Sequence, residues 1–168
     1  MTTTTSSDKP KQTIQFDSRE HYKSLGVELL QKAKKQICFF GKSIDNTLFD
    51  DPNVVSYLSD FARRSDKTRI LFAIHSSQEN VASGHQLLPL AQKLTSSIKI
   101  NIVSRKHQEL TQSFLIIDDD CYLSCQSTNR YEGKAGLNVP AEVRDFQRKF
   151  DTIWEQSTPD ISLRRLNI

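Results

Sequence analysis

Residues 31–75 read QKAKKQICFFGKSIDNTLFDDPNVVSYLSDFARRSDKTRILFAIH and contain two apolar runs separated by an amphipathic segment. The first run, 36–41, is continuous rather than alternating, which is typical of a strand covered on both faces. Asp51 followed by Pro52 predicts the N-cap and first turn of a helix, because proline is tolerated there. The second run, 69–74, predicts another strand. The segment therefore predicts a strand, a helix and a strand in succession.

The flanking sequence continues this alternation of helices and strands. An amphipathic helix is predicted before the segment, from a capping pair at Asp17 and Glu20. After the segment, the pattern predicts a helix within 79–94, a strand at 98–102 near a sheet edge, strands at 113–118 and 121–126, a polar loop at 127–138, and a long helix opening at Pro140. This order predicts an α/β fold in which a mixed β-sheet is flanked by helices.

The composition is that of a soluble globular domain. The chain has 168 residues, of which 36% are hydrophobic and 26% are charged, so a single domain with its own core is expected. Residues 1–13 are rich in Thr, Ser and Lys and predict a disordered tail, which leaves 14–168 as the folded domain. No apolar run approaches the roughly 18 residues of a membrane span, and five glycines leave no room for a phosphate-binding loop.

Three cysteines, Cys38, Cys121 and Cys125, lie inside apolar runs. Cys121 and Cys125 would be about 13 Å apart along one strand, which is too far for a disulfide. They are interpreted as reduced, buried thiols, and the expected location is cytoplasmic. No CxxC pair is present, so no metal site and no cofactor are expected. The net charge of +3 is spread along the chain and gives nucleic-acid binding only modest support.

Residues 107–127, HQELTQSFLIIDDDCYLSCQS, form two predicted strands joined by three aspartates. Carboxylates are the ligands that hard cations prefer, so Asp118, Asp119 and Asp120 raise the question of a metal site. Aspartate also favours turns, because its side chain bonds locally to the main chain. The turn interpretation is favoured.

The sequences of residues 31–75 and 113–118 resemble those of the phospholipase D-like superfamily. The resemblance covers roughly residues 18–156 as a single half-domain. The signature of that superfamily is His-x-Lys, followed by Phe and a hydrophobic run that ends in Asp. Phe114 and Asp118 match it, whereas Thr111 stands at the position of the His and Ser113 at that of the Lys. The segments GHQLLPLAQKL, NRYEGKAGLN and TIWEQSTPD are closer to an uncharacterised bacterial phospholipase D-like group. Some members of that group are fused to acetyltransferases, so the resemblance implies association with such an enzyme.

The resemblance implies a mechanism whose central residues are absent here. In the superfamily the His attacks phosphorus and the Lys holds the phosphate charge, without a metal. Loss of a nucleophile costs up to about 10⁶ in rate in a protease, and loss of an electrostatic stabiliser costs about 10²–10³. The sequence therefore predicts a non-catalytic module that binds a partner protein or a phosphorylated ligand. A phosphodiesterase or nuclease with non-standard residues is the alternative, with His107 as a weak substitute, and a nucleic-acid binder without catalysis is the third.

The loop QSTNRYEGKAGLN supplies the candidate binding residues. Their side chains offer hydrogen-bond donors, cations and an aromatic ring within six positions, and they are Asn129, Arg130, Tyr131, Glu132 and Lys134. Arginine beside tyrosine suits a phosphate, a carboxylate or a partner backbone. The alternative is that these side chains hold the loop in place. Half-domains of the superfamily commonly pair, so a homodimer is also expected from the resemblance.

Overall fold

A computed structural model of the protein describes residues 9–127 and 129–163. Within these residues the strands are β1 (Gln12–Phe16), β2 (Gln36–Gly41), β3 (Arg69–Ile74), β4 (Ile98–Ile102), β5 (Ser113–Ile117), β6 (Cys121–Cys125), β7 (Gly133–Leu137) and β8 (Thr158–Pro159). The helices are α1 (Arg19–Leu30), α2 (Asn46–Phe49), α3 (Pro52–Arg63), α4 (Gln78–Ser83), α5 (Leu87–Lys93) and α6 (Pro140–Glu155), with a 3₁₀ turn at Arg105–His107.

The strands of the described residues form one mixed sheet in the order β1-β7-β6-β5-β2-β3-β4-β8. β2, β3 and β4 run parallel to one another, and helices form the crossover connections that parallel strands need. β5 pairs with β2 in the antiparallel direction. The antiparallel half continues through β6 and β7 to β1. The predicted α/β fold with a mixed sheet flanked by helices is confirmed.

The core lies on both faces of this sheet. Phe39 packs with Leu29, Phe49 and Phe61 on the face covered by α1, α2 and α3. Phe40, the next residue of β2, packs on the other face with residues of α6 such as Phe150. Adjacent residues of a strand point to opposite faces, so the continuous run of β2 serves both layers. Among the described residues, no helix is long and apolar enough to cross a membrane.

Several predicted elements have the predicted bounds. The strands at 36–41, 69–74 and 98–102 are present as β2, β3 and β4. Asp51 is the N-cap of α3, where its carboxylate accepts hydrogen bonds from the Asn53 and Val54 main-chain N–H groups. Strong local signals, a proline at the first turn and an uninterrupted apolar run, determined these elements.

Two predictions about the first part of the chain are wrong in detail. Gln12 and Thr13, placed in the predicted tail, belong to β1, which pairs with β7, whereas residues 1–8 of that prediction lie outside the described residues. The predicted helix within 79–94 is two helices, α4 and α5. Gly84 separates them at φ 66°, a left-handed conformation that glycine adopts without strain. Pro89 lies in the first turn of α5, where a missing N–H costs little.

The predicted loop at 127–138 contains strand β7. Two glycines, which were expected to form tight turns, allow β7 to pair with its neighbouring strands. A side chain at either position would collide with residues of β6 or with the segment before α6. A Cβ on Gly133 would lie 1.8 Å from the main-chain oxygen of Ser124, and one on Gly136 would lie 2.2 Å from the Tyr122 ring. Glycine in a strand therefore marks close approach of its neighbours.

Candidate functional site

The two positions of the degenerate signature lie at one end of the sheet, which we call the signature end. There β2 ends at Gly41, β5 begins at Ser113 and β6 ends at Cys125. Ser113 is directly opposite Cys125 in the antiparallel β5–β6 pair. Thr111 precedes β5 and is exposed. The fold therefore presents hydroxyl groups at this end, where the superfamily signature has an imidazole and an ammonium.

Cys125 is the nucleophile-type side chain next to Ser113. Burial raises the pKa of its thiol to about 11, although a hydrogen bond with Ser113 lowers that pKa. A thiol with this pKa is protonated at neutral pH, and the thiolate is the reactive form. Cys125 is therefore an inert part of the core at the signature end.

A group of hydrogen-bonded and stacked residues lies at the signature end. We call it the Tyr131 cluster, and it consists of Tyr22, Asp45, Thr47 and Tyr131. The Thr47 hydroxyl donates to the Tyr131 hydroxyl at 2.8 Å, and that hydroxyl donates to Asp45 Oδ1 at 3.0 Å. The other oxygen of Asp45 accepts from the Leu48 N–H at 2.7 Å and caps α2. The rings of Tyr22 and Tyr131 lie 4.8 Å apart. These contacts hold Tyr131 against α1 and α2.

The Tyr131 cluster contains a buried carboxyl group. Burial raises the pKa of Asp45, and hydrogen bonds from Leu48 and Tyr131 partly offset this. Burial also raises the pKa of Tyr22, and the negative charge of Asp45 raises it further. Arg19 also lies beside the cluster, with its guanidinium carbon 5.1 Å from the centre of the Tyr131 ring. The cluster therefore combines a buried carboxyl group with a neighbouring cation, and its polar groups are bonded to one another.

His107, the substitute candidate, lies in the 3₁₀ turn that precedes β5. Its Nδ1 is 3.3 Å from the Ser104 hydroxyl within the same turn. Gln112, between the two signature positions, accepts a hydrogen bond from Lys149 of α6 at 3.0 Å. These polar side chains near the signature thus have partners in their own turn or in α6.

Asp118, the matched aspartate, lies at the opposite end of β5. It is five positions after Ser113 along the strand, which is a distance of roughly 16 Å. Its Oδ1 accepts from the main-chain N–H groups of Lys35 at 2.8 Å and Gln36 at 3.0 Å, and its Oδ2 accepts from Lys34 at 2.9 Å. The carboxylate thus joins the β5–β6 turn to the connection between α1 and β2. Among residues 9–127 and 129–163, no group of three His, Cys, Asp or Glu side chains could hold a metal ion.

The candidate binding residues are divided between different surroundings. Tyr131 belongs to the Tyr131 cluster, which favours the alternative that it holds the loop in place. Arg130 and Glu132 face each other at 3.6 Å, with 77% and 62% of their side chains exposed. The exposed Asn129 N–H donates to the Ser127 hydroxyl at 3.3 Å, and the exposed Lys134 lies in β7. A binding role for these exposed side chains stays a prediction.

Sequence reasoning missed Asp45, Thr47 and Tyr22 as members of this site. Asp45 has one local signal, because aspartate before a short apolar stretch is typical of an N-cap. Its bond to Tyr131 joins positions 86 residues apart, and nothing in the intervening sequence indicates that contact.

The sequence matches the family described as a domain of unknown function, DUF7931, over residues 18–166. The chain belongs to this family. No curated protein matches the sequence significantly. For this DUF7931 chain, the match covers the whole sheet except β1, together with helices α1 to α6.

Solved structures show that the DUF7931 chain has a phospholipase D-like fold. Nuc from Salmonella typhimurium, a phospholipase D family member, is similar with a TM-score of 0.60 and 15% identity, over 90% of this chain and 99% of Nuc. NucT from Helicobacter pylori is similar with a TM-score of 0.58 and 11% identity, over 90% of this chain and all (100%) of NucT.

TrmBL2, an archaeal chromatin protein whose structure shows a novel mode of DNA binding, is also similar to the DUF7931 chain. The TM-score is 0.62 at 12% identity, over 93% of this chain. The chain spans 56% of the length of TrmBL2. At this level of identity the three likenesses establish the fold, and the chemistry has to be argued from the residues at the site.

Proposed function

We propose that this protein is a non-catalytic phospholipase D-like module that binds a partner protein or a phosphorylated ligand. One observation carries the proposal: Ser113 meets the protonated thiol of Cys125 at the position where the superfamily signature has its lysine. The polar groups of the neighbouring Tyr131 cluster are bonded to one another, so they are not arranged to replace the missing lysine. Binding without chemistry is the function that this arrangement suits.

A hydrolysis assay tests the absence of catalysis. Purified protein would be incubated with bis(4-nitrophenyl) phosphate and with single-stranded DNA, first with a chelator and then with divalent metals. We expect no turnover above that of a heat-denatured sample, because Thr111 stands where the superfamily signature has its nucleophilic His and the neighbouring Cys125 thiol is protonated at neutral pH.

The variant His107→Ala is the control for the alternative enzyme. Turnover by the unaltered protein that disappears in His107→Ala, with Lys106→Ala unaffected, would establish a phosphodiesterase with non-standard residues. Lys106 is the exposed neighbour of His107 in the same 3₁₀ turn, so the pair separates chemistry from local unfolding.

Nucleic-acid binding without chemistry is a second candidate, supported by the likeness to the DNA-binding chromatin protein TrmBL2. A mobility-shift titration at several salt concentrations tests it. Binding to phosphates releases counterions, so the affinity must fall steeply between about 50 and 200 mM salt. Affinity that does not change with salt would exclude this candidate.

A protein partner and a homodimer belong to the same proposal, since the fold commonly pairs through the signature end. Light scattering of the purified chain tests the homodimer, and a monomer at all concentrations would contradict it. Affinity capture followed by mass spectrometry tests for a partner, including an acetyltransferase. The same capture with the variant Arg130→Ala/Glu132→Ala shows whether the exposed loop contacts that partner.

A further inference from the structure

A second concave surface lies at the end of the sheet opposite the signature end. It is a cavity of about 480 Å³ between the connection from α1 to β2, the β5–β6 turn and the segment before α6. Its walls are formed by Lys9, Gln31, Lys32, Ala33, Lys34, Lys35, Arg64, Asp118, Asp119, Asp120, Cys121, Leu137 and Asn138. Pockets for small ligands are typically about 300–1,000 Å³, so this cavity can hold one. We call it the basic cavity.

Five cationic side chains line the basic cavity, namely Lys9, Lys32, Lys34, Lys35 and Arg64, against three carboxylates. Within residues 9–127 and 129–163, none of these five cations is among the ion pairs formed within 4.0 Å. Arg64 donates one hydrogen bond to the Ala33 carbonyl, which fixes the guanidinium against the wall. The described structure thus leaves the positive charges of the cavity without anionic partners at contact distance.

The carboxylates of the cavity do not neutralise these cations equally. Both oxygens of Asp118 accept from the main-chain N–H groups of Lys34, Lys35 and Gln36. Asp118 is therefore already satisfied by the main chain. Asp119, which is exposed, and Asp120 remain at the turn.

Charged side chains of both signs act on the wall of the cavity. Burial raises the pKa of the Cys121 thiol, a hydrogen bond with the Asn138 main chain lowers it, Asp120 raises it further and the positive charge of Lys32 lowers it. Cys121 is 2% exposed, so the ammonium group acts on a residue in the wall rather than on bulk solvent alone. Charges beside a protein surface interact more strongly than charges in water.

Local contacts fix the shape of the cavity. Asp118 and Asn138 adopt left-handed conformations at φ 53° and 59°. The Asn138 amide donates to the Pro10 carbonyl at 3.0 Å, which holds the segment that carries Lys9 beside the cavity. A cavity whose main chain is already in place loses less entropy on binding than one that must be assembled around its ligand.

We propose that the basic cavity binds a small ligand carrying one or two phosphate groups, with Lys32, Lys34 and Lys35 as its main contacts. This inference rests on the proposed function, because it locates the site of a phosphorylated ligand on a non-catalytic module. A nucleic acid fits less well, since single-strand binders use a continuous positive groove with aromatic platforms. Here the cations surround one concave volume and the carboxylates of the turn interrupt the charge.

Isothermal titration calorimetry with inorganic pyrophosphate, and separately with ADP, tests this site in a chelator-containing buffer at low salt. The double variant K32Q/K35Q removes two exposed cations of the cavity. The control K67Q/K106Q removes two exposed cations elsewhere, so the net charge changes equally. We expect saturable binding of one ligand per chain that weakens at least tenfold in K32Q/K35Q and less than twofold in the control. ADP binding tighter than pyrophosphate would identify a nucleotide, and the reverse order would identify a phosphate group as the recognised part.

Three outcomes would overturn the proposal: no saturable binding, an equal loss in both double variants, or binding of a single-stranded oligonucleotide with higher affinity than either small probe. Circular dichroism confirms that both double variants are folded. Because hydrolysis is measured separately at the signature end, failure of phosphate binding here is distinguishable from the discovery of catalysis there.

Discussion

The two ends of the sheet present different functional groups. At the signature end, Ser113, Cys125 and the Tyr131 cluster combine hydroxyl groups, a protonated thiol and a buried carboxyl. At the other end, five cations surround a cavity of about 480 Å³. In an enzyme of this superfamily the phosphate group would be held by the signature. In this chain the cations that could hold a phosphate lie roughly one strand length away.

The phospholipase D-like fold of this chain is maintained by residues other than a His-x-Lys pair. Phe114 and Leu115 are core residues on opposite faces of β5, so the strand is needed whether or not the signature acts. Asp118 also has a structural role, because its carboxylate accepts main-chain hydrogen bonds that join the β5–β6 turn to the α1–β2 connection. The two positions that depart from the signature, Thr111 and Ser113, lie outside the apolar core.

Gly133→Ala is expected to have the largest effect and would disrupt the signature end alone. A Cβ there would lie 1.8 Å from the Ser124 carbonyl oxygen, and main-chain atoms of a paired strand cannot move aside. Overpacking costs about 1–3 kcal/mol and more where backbone must shift, so we expect a loss of at least about 3 kcal/mol of unfolding free energy. Urea denaturation measures it. Lys134→Ala, an exposed neighbour in β7, is the matched control and should change stability by less than about 0.5 kcal/mol.

Asp118→Ala is expected to destabilise the opposite end. It leaves three main-chain N–H groups without their acceptor and places alanine at φ 53°. Lost hydrogen bonds and left-handed strain together should lower the unfolding free energy by about 2–4 kcal/mol. Asp118→Asn keeps one acceptor oxygen and tolerates this conformation, so chemical denaturation should show a smaller loss. Equal losses in the two variants would contradict the role of the carboxylate.

Tyr131→Phe tests whether the Tyr131 cluster is structural. The change removes the donor to Asp45 and the acceptor from Thr47 but keeps the ring against Tyr22. We expect a loss of about 1–2 kcal/mol in thermal or urea unfolding, since Asp45 is left partly unsatisfied in a buried position. Unchanged stability with loss of partner capture would instead support the binding interpretation of Tyr131.

His85→Gln is expected to have the smallest effect, seen in the pH dependence of stability. Burial lowers the pKa of His85 below its ordinary 6.5, and the nearby Asp50 and Asp45 raise it only in part. The unfolded chain therefore takes up a proton first, and stability is lost as the pH falls below 6.5 towards the folded pKa. One such group changes the free energy of unfolding by at most about 1.4 kcal/mol per pH unit.

The measurement is urea unfolding at several pH values between neutral and mildly acidic. His85→Gln removes the titrating group, so stability should fall less steeply with acid than in the unaltered protein. The side chain is 1% exposed, and its Nδ1 accepts from the Leu87 N–H at 3.2 Å, so the variant also has a lower absolute stability. The same slope in both proteins would show that His85 does not titrate on unfolding.

Local patterns predicted the elements that local chemistry decides. Pro52 and Pro140 mark the starts of α3 and α6, because proline lacks an N–H that the first turn does not need. β7 was missed because two of its five residues are glycine, which normally indicates a turn, and only the Ser124 main chain and the Tyr122 ring make glycine necessary there. β1 was missed because it is short and carries only two apolar side chains, Ile14 and Phe16, directly after a segment rich in Thr, Ser and Lys.

The sequence by itself determined the fold class and the loss of the His-x-Lys pair, because periodicity and residue identity are local properties. The tertiary structure decided what replaced that pair. The bond between Tyr131 and Asp45 spans 86 positions, and the bonds of Asp118 to the α1–β2 connection span 82 to 84. Contacts of this kind depend on how the strands are ordered in the sheet. That order brought a carboxyl group to the signature end and five cations to the other.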